Sequence, residues 1–315
     1  MSVQLYNLAP ALELMGVGLL VAGLPFAWFW RKHRHAASAQ RLQALTWLTL
    51  ALTFELVLVG AFTRLTDSGL GCPDWPGCYG SASPLGAAQH IDAAQTAMPT
   101  GPVTQGKAWM EMVHRYMATG VGVLITVLTL WTLRVWRRDR AQAVHPLWPA
   151  LTLLWVCLQG AFGALTVTMK LFPAIVTLHL LLAIGLLALL SLQAVRYEGW
   201  RSVPVPAGLR ALLALSFAVL LVQTALGGWV STNYAVLACS DFPTCQGQWW
   251  PRMDAQGFAL WRELGHSAAG ESLPFEALTA IHYAHRSMAY AVIALLAWTG
   301  SRLRKTPGLV RQGQW

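Results

Sequence analysis

Charged side chains are scarce: they make up 11% of 315 residues, where a soluble chain of this size carries roughly a quarter. Acids are rarer still, with 13 Asp and Glu against 22 Lys and Arg. That shortage excludes an ordinary soluble domain. Cysteines number five, and none stands in the C-x-x-C spacing of a reactive dithiol. No basic stretch precedes the first apolar run, so that run reads as a retained helix and not a cleaved signal.

What is abundant is apolar length. Runs of roughly 20 residues, enough to cross a bilayer core, fall at about 12–30, 44–65, 109–133, 147–169, 173–194, 211–232 and 277–299. The pattern predicts an all-α integral membrane protein with seven transmembrane helices. Arg31, Lys32, Arg34, Arg41, Arg134, Arg137, Arg138, Arg140, Arg196, Arg201, Arg210, Arg302, Arg304, Lys305 and Arg311 lie in one set of loops. Only Lys107, Lys170, Arg252 and Arg262 lie in the other. The richer set is expected to face the cytoplasm. This puts the N-terminus outside and makes the net charge of +9 a matter of topology, with no nucleic-acid partner.

An internal repeat organises the chain. The stretch GAFTRLTDSGLGCPDWPGC, Gly60 to Cys78, aligns without a gap on GGWVSTNYAVLACSDFPTC, Gly227 to Cys245. The offset is 227 − 60 = 167. Each copy leaves an apolar helix and enters a loop holding two cysteines. Both loops are expected outside, where disulfides Cys72–Cys78 and Cys239–Cys245 are favoured over free or metal-binding thiols. Cys157, in mid-helix, reads as packing. The loop centre, about 81–105, shows no apolar periodicity and is expected to be mobile, with His90 solvated.

Ionisable residues at membrane depth are costly and point to function. Glu111-Met112-Val113-His114-Arg115 is the strongest local signal. Glu111 and His114, three apart, share a helical face. His179 lies at a similar depth on another inward-running helix, so the two imidazoles suit the axial positions of one haem. In the second half His285-Arg286 aligns with His114-Arg115, and His282 with Glu111, at an offset of 285 − 114 = 171. Arg115 and Arg286 suit haem propionates or snorkel to the interface. Glu55, mid-helix, fits a proton path or a neutral packed acid, and the first helix reads as an extra anchor. The counterpart of His179 would fall at about 179 + 171 = 350, two helices beyond Trp315.

These residues carry a resemblance. TRLTDSGLGCPDWPGC (63–78), EMVHR (111–115), the helix with His179, QTALGGWVSTNYAVLACSDFPTC (223–245) and IHYAHR (281–286) are similar to the haem A synthase family. The likeness spans about 44–315. It implies two four-helix bundles related by repeat: residues 44–200 hold the substrate haem and residues 201–315 a haem b site lacking its last two helices. Residues 1–43 add a helix and a basic loop. By resemblance, His114 and His179 flank haem O, Glu111 is the essential acid, and His285 is an axial ligand of haem b, with His282 beside it. The C8 methyl of haem O would become a formyl group, and haem b is expected to bind weakly or not at all here. Expected partners are haem O, haem O synthase, the cytochrome oxidase assembly machinery and the lipid bilayer of a bacterial plasma membrane, with homo-oligomerisation open. Competing readings are a di-haem quinol or ferric reductase, a non-enzymatic haem carrier, and a thiol–disulfide oxidoreductase.

Overall fold

The computed structural model describes residues 9–198 and 203–309. Arg201, Arg311 and Trp315 lie outside the described residues. The described chain is helical: α1 Ala9–His33, α2 Ser38–Leu65, α3 Ala88–Ala97, α4 Gln105–Arg138, α5 Leu147–Thr168, α6 Pro173–Tyr197, α7 Ala207–Thr232 and α8 Phe275–Arg304, with short 3-10 turns between some of them. Six of these, α1, α2, α4, α5, α6 and α7, are long and apolar enough to cross a membrane. The chain is an all-α, multi-pass membrane protein. The seventh expected span forms as α8, 30 residues long. It carries His282, His285 and Arg286 and is not one of the six.

Residues 9–171 and 182–198 form one compact unit, and residues 172–181 and 203–309 a second. In the first unit α4 is the central helix, with α1, α2 and α5 packed along it. The α1 contact rests on small residues. A side-chain carbon at Gly18 would collide with Thr119 of α4, and one at Gly120 would come within 3.1 Å of Val21. Close backbone approach of this kind is how membrane helices associate when lipid gives no hydrophobic drive between them. The first helix is therefore more than an added anchor: it supports the helix that carries Glu111 and His114.

The buried stripe of α2 is polar but self-satisfied. Thr46, Thr49, Thr53 and Thr63 each donate a hydroxyl hydrogen bond to the carbonyl four residues back, at 2.7–2.9 Å. Thr residues can be buried this way without an outside partner. One apolar cluster of this unit joins Phe29, Leu42, Leu45, Ile125, Leu128 and Leu190. A second gathers Leu14, Cys72, Cys78, Ile91, Ala108 and Met112 around the Cys72–Cys78 loop.

Three expectations change here. The segment expected to be mobile contains α3, whose Ile91 is fully buried and fixes the loop to α4. Cys157 is exposed on α5 and does not pack. Glu55 is exposed on α2, so it is not a packed acid of the bundle.

In the second unit α7 and α8 pack along each other. Ser216 and Thr299 meet at 2.8 Å near one end. Trp229, Val230, Ala235 and Ile281 form the apolar cluster toward the other.

Candidate functional site

The site in the first unit is built on the second and third turns of α4. Thr104 caps this helix by accepting from the Lys107 amide at 3.3 Å. Glu111 and Arg115 follow one turn apart, both buried, and pair at 2.5 Å. Each also grips the Cys72–Cys78 loop. The second carboxylate oxygen of Glu111 accepts from the Cys72 amide at 2.8 Å. The Arg115 guanidinium donates to the carbonyls of Asp74 (3.0 Å), Pro76 (3.1 Å) and Gly77. The loop shapes itself for this contact. Asp74 accepts from the amides of Tyr79 (2.6 Å) and Gly80 (2.7 Å). Tyr79 and Gly80 both adopt positive φ, 48° and 71°, which the carboxylate stabilises by satisfying two turn amides.

A buried carboxylate needs partners for its charge, and Glu111 has a cation and a backbone donor. His114, three residues on, is half-buried and lies against α2. A side-chain carbon at Gly60 would sit 2.8 Å from His114 Cε1. Only glycine there admits the imidazole so close to the neighbouring helix.

The second unit repeats the arrangement with one chemical change. Cys239 and Cys245 are bonded, as are Cys72 and Cys78. Asp241 accepts from the amides of Gln246 (2.5 Å) and Gly247 (3.0 Å), which adopt φ of 56° and 71°, and from the Thr244 hydroxyl. The Thr244 hydroxyl is the largest cause holding this carboxylate below its usual pKa, with the two amides adding to it. Arg286 donates to the carbonyls of Asp241 and Thr244, both at 2.8 Å. These occupy the same loop positions as Asp74 and Gly77. The change is at the acid: His282 stands where Glu111 stands.

The hydrogen bonds of His282 fix its tautomer. Nδ1 lies 3.0 Å from the Ala235 carbonyl and so carries the proton, while Nε2 accepts from Arg286 at 3.2 Å. The Cys239 amide, 3.4 Å from Nδ1, is the weaker contact and would need the opposite tautomer. With both nitrogens engaged, His282 acts here as a loop-holding residue. His285 differs. A side-chain carbon at Gly227 would approach its Cε1 to 3.1 Å, and its Nδ1 meets the Gln223 side-chain nitrogen at 3.1 Å.

His179 lies on α6, half-buried, in the stretch 172–181 that groups with the second unit. Gln223 falls within the QTALGG stretch but has no role evident from the sequence alone. Its spacing four residues before Gly227 was the available signal, since both then face one side of α7. Sequence reading also missed the buried cluster around Arg262. Its guanidinium donates to Asn233 (2.5 Å), Gly257 (3.1 Å) and His266 (3.3 Å), 5.6 Å from the Trp229 ring. Nothing local in the sequence marks that cluster.

Comparison with known proteins supplies the context. A family model described as cytochrome oxidase assembly protein, COX15-CtaA, matches residues 43–315. The heme A synthase of Shewanella oneidensis is 40% identical over 266 residues, covering 82% of this chain and 79% of that protein. The heme A synthase of Rhodopseudomonas palustris is 30% identical over 278 residues, 80% of this chain and 72% of that protein. The heme A synthase of Halalkalibacterium halodurans is 28% identical over 250 residues, 78% and 76% of the two chains. α1 lies outside the matched residues, while both cysteine loops and every site residue named above lie within them. The chain belongs to the COX15-CtaA family of cytochrome oxidase assembly proteins.

Proposed function

We propose that this chain is a haem A synthase, a membrane oxidoreductase that converts the C8 methyl group of haem O to a formyl group. The observation that carries the reading is Glu111. It is a buried carboxylate held between Arg115 and the Cys72 amide, one helical turn before His114. Oxidising a methyl to a formyl with water as the oxygen source takes up one water and releases four protons and four electrons, the electrons passing to an external one-electron acceptor. A carboxylate fixed beside the reacting group can take the protons. An electron-passing cytochrome or a passive carrier has no need of such an acid, and the relatives named above favour neither.

Each residue then has a task. Arg115 pairs with Glu111 and pins the Cys72–Cys78 loop over α4. His114 is read as one imidazole facing the substrate haem. His179 joins it only on the sequence argument of equal depth. Arg115 and Arg286 remain candidates for propionate contacts, in addition to the loop carbonyls they already hold.

His285 is read as an axial ligand of haem b. The residues fit that group: the ring rests on Gly227, Nδ1 is engaged by Gln223, and Nε2 makes no hydrogen bond among the described residues. Haem b, when bound, supplies one-electron transfer. The cysteine loops are placed on the outer face of the membrane, following the Lys and Arg distribution. Haem O synthase and the oxidase assembly machinery are the partners this reaction implies.

The test is substitution at Glu111 in cells supplied with haem O. Glu111→Gln keeps the size and loses the base, and is expected to cut haem A formation at least ~100-fold. Wild-type haem A yield from Glu111→Gln at equal protein level would refute the role.

A further inference from the structure

The two units present their histidines in matching seats, but the helices behind those seats differ at one position. Gly60 of α2 and Gly227 of α7 each lie against an imidazole, His114 and His285 respectively. Four residues before Gly227 stands Gln223, within hydrogen-bond distance of His285 Nδ1 at 3.1 Å and of the His285 carbonyl at 3.3 Å. Four residues before Gly60 stands Leu56, which cannot hydrogen-bond. The acid position differs as well, Glu111 in one unit and His282 in the other.

We propose that Gln223 is a positioning residue that holds His285 as the ligand of a resident, electron-carrying haem. The inference rests on the reading of His285 as an iron ligand given above.

The chemistry is that of a ligand's outer hydrogen bond. An imidazole bound to iron through Nε2 carries its proton on Nδ1. A hydrogen-bond acceptor at that Nδ1–H fixes the ring, raises its basicity and stabilises the oxidised iron. The Gln223 side chain is in place for this. Its amide nitrogen faces Nδ1 and its amide oxygen is buried without a partner. Amide oxygen and nitrogen exchange places by a half-turn of the terminal bond. The half-turn sets the oxygen against Nδ1–H and frees the Nε2 lone pair for iron. A half-turn therefore matches the side chain to either the empty or the iron-bound imidazole.

The experiment compares wild-type protein, Gln223→Leu, Gln223→Glu and His285→Ala. Each is purified whole in detergent and titrated with iron protoporphyrin IX. Affinity and midpoint potential are read from the absorption spectrum. Gln223→Leu is expected to weaken binding by roughly 10–100-fold and to move the potential in the positive direction. Gln223→Glu, a stronger acceptor, is expected to move it in the negative direction. If His285→Ala abolishes binding while both Gln223 variants keep wild-type affinity and potential, the positioning role is wrong and the ligand reading stands. If His285→Ala binds as the wild type does, the ligand reading fails and this inference with it. Should Gln223→Leu not fold, an unchanged potential in Gln223→Glu alone overturns the proposal.

Discussion

Glu111 and Arg115 show how a costly pair of charges is retained in a membrane helix. Neither is left to the other alone, since the loop supplies an amide to the acid and three carbonyls to the base. Removing one member of a buried pair leaves the other uncompensated, at about 3–5 kcal/mol. Arg115→Met is therefore expected to destabilise the first unit by that amount in chemical unfolding. Adding Glu111→Gln to it should recover part of the loss, because the stranded charge is then gone. Additive losses in the double variant would contradict the coupling.

Asp241 makes a pH prediction for the second loop. Its pKa is depressed in the fold, first by the Thr244 hydroxyl and then by the Gly247 and Gln246 amides. A group with a depressed folded pKa contributes stability above its unfolded pKa and loses it as pH falls through the folded one. The Gln246 and Gly247 amides should thus stay protected from hydrogen exchange at the pH where ordinary aspartates protonate, about 3.9. They should lose protection only below it. Asp241→Asn should remove this pH dependence. Protection that collapses at the ordinary aspartate value in the wild type would contradict it.

Among the elements, α4 and α8 carry the candidate site residues, and α2 and α7 supply the glycines against which His114 and His285 rest. The two glycine contacts are not equally tight, 2.8 Å at Gly60 and 3.1 Å at Gly227. A methyl group at Gly60 must displace the His114 ring, an overpacking cost of about 1–3 kcal/mol. Gly60→Ala is expected to lower thermal stability and haem A yield more than Gly227→Ala does, measured side by side at equal expression. The reverse order would show that the imidazoles do not sit in these seats.

What the sequence made legible at this scale follows from how local each signal is. The long apolar helices and the two loops sharing one pattern at an offset of 167 were readable from periodicity and spacing. α3 was not: it is ten residues, rich in Ala, with Ile91 as its only buried side chain, and so carries too little apolar pattern to notice. The α1–α4 contact depends on Gly18 and Gly120 meeting across about a hundred residues, which no local pattern records. Arg115 and Arg286 were read as propionate partners or snorkelling cations. Their contacts with loop carbonyls some 40 residues away emerge only once the loop is folded.

At the scale of the whole molecule, two units share a loop-and-helix design and differ at two positions with chemical weight. One unit has Glu111 and Leu56, the other His282 and Gln223. On the proposed function, proton transfer falls to Glu111 of the first unit, and a haem held by His285 with Gln223 to the second. The central claim is that this chain makes haem A. The direct measurement is to express it with a haem O synthase in a host that has no haem A synthase, then extract and separate the haems by chromatography with mass detection. The account predicts conversion of haem O to haem A, together with the intermediate alcohol, and its loss in Glu111→Gln. Haem O as the sole product beside haem b, with the wild-type protein present in the membrane, would contradict it.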